Sequence, residues 1–381
     1  MKFYTVEEKH KSIFKTFAIY YISMAVFCIL RIISAGGGIS GKLGDLSFTL
    51  AVQILTLFLL PLFLTCVFLE VKPKQVFKSC NFEKINIQTI LISVMLGLLC
   101  FFINVAVSSL FSGILTFTGY RYPSYSAISA DYSIGNFFLQ IFITAVLPAF
   151  CEEFLHRGIV LQGIKHMGFK KAIVISSLLF GLLHFNVGQV AYAFVIGLIL
   201  GFVAVVSKNI YPAMIIHFMN NFISVYLEFA EARGWAFGDI LNKLQKALSS
   251  SSGVWVFIGT AIFMIVVVAL LCLFIWLLYK QSMLRKVHKA ISKVYYSPNL
   301  DNDTHIVIDK ENEIKDLLEN NTLLNLSYQK MDNPIDIVLP KEKYRYKTKP
   351  TDKLFLWTSI ILGALVTLFT YIWGLLWKLI L

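Results

Sequence analysis

Long apolar runs broken by short polar stretches set the pattern of this chain. Runs at 13–33, 46–69, 87–117, 134–165, 171–186, 190–206, 211–229, 253–279 and 354–379 each hold enough apolar residues for a buried or membrane-crossing helix. Crossing the hydrocarbon core takes roughly 20 such residues, so the pattern predicts a polytopic helical bundle of about nine helices. Arg31 near its end and a long, partly acidic leader make the first run a span rather than a cleaved signal peptide. Residues 280–353 break the pattern. Their edges are basic, with five Lys/Arg and no acid in 280–293 and six Lys/Arg against two acids in 341–353, whereas 294–340 holds nine acids and three lysines. The expected organisation is a bundle over 1–279, a polar insert over 280–353 with one helix-like piece near 311–326, and a last helix in 354–381.

Composition supports the membrane reading, since 57% of the 381 residues are hydrophobic and 15% are charged, against about 25% charged in soluble domains. The net charge of +12 raises the question of nucleic acid, but no nucleic-acid motif or aromatic-interleaved basic patch accompanies it. The basic residues gather in alternate loops. Lys72, Lys74, Lys78 and Lys84 lie in 70–86, Lys165, Lys170 and Lys171 in 165–171, and Lys208 in 207–210. The positive-inside rule then puts these loops, the N-terminus and the insert in the cytoplasm of a multi-pass cell-membrane protein, and the basic edges of the insert fit anionic headgroups. The sequons at Asn302, Asn320 and Asn325 consequently read as chance. Frequent Lys, Ile and Asn fit a low-GC bacterium and hence a bacterial plasma membrane. Six cysteines without CxxC or other paired spacing read as buried, reduced thiols.

One segment conflicts with this greasy background. In 147–160, LPAFCEEFLHRGIV, the apolar run leads directly into Glu152, Glu153, His156 and Arg157. Three ionised residues at the bilayer centre would cost on the order of 8–10 kcal/mol on insertion scales. The bland alternative places them in headgroups at a helix end, but another apolar stretch, Gly158 to Ile164, follows them. At i, i+4, Glu153 and Arg157 share a helix face and can pair. Glu152 lies about 100° away and is freer to act as a base, with His156 on its own face. Two further histidines sit in apolar helices, His184 in LLFGLLHFN and His217 in MIIHFMNNF, where Asn221 follows at i+4. Counting residues from the basic turns, Glu152, His184 and Asn221 all lie about 20 Å deep and His217 one turn shallower. Polar groups from three helices are thus expected at one level.

The ordered trio Glu152-Glu153-x-x-x-Arg157, Phe180-x-x-x-His184 and His217-x-x-x-Asn221 resembles the CPBP family of intramembrane proteases, which comprises type II CAAX prenyl endopeptidases and bacterial relatives linked to bacteriocin processing and immunity. The resemblance spans about 130–230. It implies that Glu152 and His184 activate a water, that His217 and Asn221 bind the oxyanion, and that Glu153 and Arg157 support the site. The implied substrate is a membrane-associated protein or peptide, such as a CAAX-like terminus, a leader peptide or a membrane anchor. Members of the family are often called metalloproteases, and His184 and His217 would be the ligands if Zn2+ were used, although His-Glu-x-x-His is absent. Two other classes compete. An ion- or proton-coupled transporter could use Glu152, Glu153, His184 and His217 as a relay, but inverted repeats and paired broken helices are not apparent. A non-catalytic immunity or scaffold protein would not need all four competent residues.

Overall fold

The computed structural model describes residues 6–35, 50–121, 131–239, 243, 246, 254–295 and 349–380. Among them it has ten helices and no strand: α1 Val6–Ala35, α2 Leu50–Leu69, α3 Pro73–Ser79, α4 Ile87–Phe117, α5 Ile134–Met167, α6 Phe169–Leu183, α7 Val187–Ser207, α8 Tyr211–Arg233, α9 Val254–Tyr295 and α10 Leu354–Ile380. The chain is an all-helical, multi-pass membrane bundle. Seven of these helices, namely α1, α2, α4, α5, α7, α9 and α10, are long and apolar enough to cross a bilayer. The two other runs read as spans form helices that fall short for different reasons. The 15 residues of α6 rise about 22 Å, less than the roughly 30 Å core. In α8, the polar side chains of His217, Asn220, Asn221, Glu228, Glu231 and Arg233 interrupt the apolar character. These are the helices that carry His184 and His217.

Ends of helices and turns are set by local chemistry. The α6–α7 turn closes at Phe185, with φ +49°, and Asn186 caps α7 by accepting from the Gly188 amide at 2.8 Å. The α7–α8 turn reverses at Lys208, with φ +51°, after which the Asn209 side chain accepts from the Tyr211 amide at 3.0 Å and Pro212 opens α8. α9 runs on past 279 to Tyr295, so the basic first edge of the insert continues a helix. The piece expected near 311–326 and the three sequons lie outside the described residues.

The two ends of the bundle differ. At one end, Ser12 of α1 donates to Gly163 of α5, Lys15 to Phe68 of α2, Asn209 to Glu83, Ser282 of α9 to Ser207 of α7, and Phe14 meets Phe355 of α10. The loops rich in lysine therefore share one end, hereafter the basic end. At the other, Arg121 beyond α4 donates to the Gly374 carbonyl in α10, and Arg233 donates to Tyr132. α9 and α10 present exposed Ile265, Trp276, Leu365 and Phe369, as lipid-facing helices do. All six cysteines are free; Cys272 on α9 is exposed rather than buried as expected, because its side of the helix faces outward. Burial pushes the Cys80 thiol, in the loop after α3, up to about 12, which keeps it protonated and inert.

Candidate active site

α5 is not a uniform α-helix. It widens into π-helical turns at Phe142–Val146 and Phe154–Val160, with the Glu152-Glu153 pair between them. Such turns recur at functional sites. The pairing expected at i, i+4 is present: Arg157 Nη1 donates to Glu153 Oε1 at 2.8 Å, both side chains fully buried. Arg157 Nη2 donates to the Gly197 carbonyl of α7 at 2.9 Å, and the guanidinium carbon lies 4.6 Å from the Phe180 ring centre. Two buried charges are tolerable only with such partners. The same Glu153 Oε1 accepts from His217 Nδ1 at 2.9 Å. One carboxylate oxygen therefore joins α5 to α8 while its guanidinium partner joins α5 to α7.

The other three histidine and carboxylate positions separate by environment. The Nδ1–H of His184 donates to the Phe180 carbonyl at 2.9 Å; when the ring is neutral, Nε2 is then an acceptor. Glu152 is partly exposed to a cavity, and its Oε2 has no hydrogen-bond partner. His156 donates through Nδ1 to the Glu152 carbonyl at 2.8 Å and is fully buried between Tyr20 and Phe180.

Glu152, His184, His217 and Asn221 line one cavity of about 570 Å³. The structure brings these four residues to one cavity. Four groups that sequence reasoning did not single out hold Asn221 in place. Ser108 donates to Asn104 at 3.0 Å, Asn104 to Asn220 at 3.3 Å, Asn220 to the Asn221 Oδ1 at 3.0 Å, and Asn221 Nδ2 to the Thr144 carbonyl at 2.9 Å. This relay crosses from α4 through α8 to the first π-helical turn of α5, and it leaves one Nδ2 hydrogen of Asn221 uncommitted. Asn104 within the run FFINVAV and Asn220 beside Asn221 are the signals by which the relay could have been found, since polar residues inside apolar helices seek each other.

Among the described residues the donor set falls short of a catalytic zinc site. A catalytic zinc takes three protein ligands, and no three His, Cys, Asp or Glu side chains converge among the described residues.

No curated protein and no solved structure matches the chain. One family model does match, over residues 134–223, about a quarter of the chain and spanning α5 to most of α8: type II CAAX prenyl endopeptidase Rce1-like. That segment carries Glu152, Glu153, Arg157, His184, His217 and Asn221. It supports the general activity of an intramembrane CAAX-type endopeptidase within a multi-pass membrane protein. Residues 134–223 are similar to the type II CAAX prenyl endopeptidase Rce1-like family, a similarity consistent with the CPBP family of intramembrane proteases.

Proposed function

We propose that this protein hydrolyses a peptide bond of a membrane-associated protein or peptide by Glu152-dependent activation of water, without a metal. The observation that carries the proposal is the convergence on one cavity of a half-buried carboxylate, two histidines that each commit Nδ1 to another group, and an oriented amide. Glu152 takes a proton from water as the oxygen attacks the carbonyl carbon, with Nε2 of His184 accepting the water's second hydrogen and orienting it. The tetrahedral oxyanion faces His217 Nε2 and the free Nδ2 hydrogen of Asn221. Because His217 gives its Nδ1–H to Glu153, donation from Nε2 requires the imidazolium. The C–N bond then breaks, and the carboxylic acid formed at Glu152 returns its proton to the leaving nitrogen, which restores the carboxylate. A positioned base contributes about 100–10,000-fold, and each oxyanion donor about 100–1,000-fold.

The test is a comparison of membrane peptides by mass spectrometry between cells producing the wild-type chain and cells producing Glu152→Gln. Complementary fragments of one membrane protein should occur in the wild type and disappear in the variant. Fragment sets that do not differ would remove the proposal.

A further inference from the structure

The cavity has a direction. The hydrogen bonds linking Glu153, His217, Arg157 and Gly197 define a layer through α5, α8 and α7, and Phe180 of α6 stacks on it. The basic end is marked on these helices by 165 in α5, 169 in α6, 207 in α7 and 211 in α8. From the layer, the cavity's lining residues run the other way on every helix. They extend to Gln140 on α5, Gln189 on α7 and Glu228 on α8, which are 13, 8 and 11 residues beyond Glu153, Gly197 and His217. At 1.5 Å per residue these reach about 12–20 Å past the layer. On α1 the lining reaches Arg31, 11 residues beyond Tyr20, whose ring contacts that of His156.

Toward the basic end the layer is backed by packed chain. Phe154, Leu155, Val160, Leu161 and Ile164 are fully buried. Gly158 lies so close to Cys80 and Ile210 that an added methyl would meet the Cys80 sulfur at 2.9 Å. The side chains at the far end of the cavity are instead solvent-accessible, with Arg31, Ser224 and Glu228 all exposed.

We infer that the cavity opens at the end opposite the lysine-rich loops, which the positive-inside rule makes the extracytoplasmic face, so that the site is reached from outside the cytoplasm. The sidedness rests on the cavity and the loops alone. The consequence for substrate rests on the endopeptidase reading: the scissile bond belongs to a peptide segment presented on the extracytoplasmic side of the membrane. Amide side chains along the opening, including Gln140, Gln189 and Asn104, offer both donors and acceptors to an extended peptide backbone.

The experiment uses the full chain with Cys272→Ala, in intact cells, and a membrane-impermeant charged maleimide as probe. Ser224→Cys and Glu228→Cys, two independent exposed positions, should be labelled in intact cells. Lys74→Cys, an exposed position at the basic end, should be labelled only after permeabilisation. Labelling of the two mouth positions only after permeabilisation, or labelling of neither under both conditions, would overturn the inference. Loss of cleavage has no bearing on this readout, and an inward-facing result would leave Glu152-dependent cleavage standing, so the two readings fail separately.

Discussion

At the scale of the residue, Glu153 and Glu152 are neighbours in sequence with opposite constraints. Glu153 spends one oxygen on both Arg157 and His217 with no exposure to solvent, whereas Glu152 is half-buried and lines the cavity. Substituting Glu153→Gln leaves the Arg157 guanidinium buried without its counter-charge, which typically costs about 3–5 kcal/mol. The variant should show a marked drop in melting temperature or in yield of folded protein, measured by thermal denaturation in detergent. A wild-type melting curve would contradict the pairing. Asn221→Ala removes a single oriented donor and should reduce turnover by about 100–1,000-fold with the melting temperature little changed. Without the Asn104–Asn220 relay to orient it, the Asn221 amide would be free to turn, so Asn220→Ala should also slow turnover, by a smaller factor. The i, i+4 pairing of Glu153 and Arg157 was legible in the sequence because it depends only on helical geometry. The contact between Glu153 and His217 spans 64 positions and depends on how α5 meets α8, which no local pattern states.

Among the elements, α6 and α7 approach closely beside the site. A methyl added at Gly197 would meet the Ser177 backbone at 3.1 Å and the Phe180 ring at 3.2 Å; the same glycine's carbonyl holds Arg157. Small residues at such crossings let helix backbones approach closely. Gly197→Ala should therefore force the two helices apart and tilt Phe180 away from the guanidinium, with a loss of about 1–3 kcal/mol, the usual cost of overpacking. Thermal denaturation and turnover should fall together, and an unaltered variant would mean that the crossing is looser than described. The existence of α5 to α8 followed directly from the long apolar runs. The two π-helical turns in α5 did not, because residue types carry no marker for a widened turn.

Over the whole molecule, the alternation of basic loops was readable as a sidedness code, and the structure gathers those loops at one end of the bundle. Which helices cross fully was less legible, because α6 and α8 exchange apolar length for the polar groups of the site. The proposed metal-free chemistry gives a prediction at this scale: purified protein should retain its turnover after prolonged dialysis against chelator. Turnover lost on chelation and restored by added zinc would contradict the metal-free chemistry. The central claim is that Glu152 supplies the base while Glu153 supplies the scaffold. Its most direct test is turnover and melting temperature measured side by side on purified wild-type and Glu152→Gln protein, using the membrane protein whose fragments depend on Glu152. The account predicts turnover lower by about 100–10,000-fold at a melting temperature within a few degrees of wild type. Turnover within a few-fold of wild type from folded Glu152→Gln protein would contradict it.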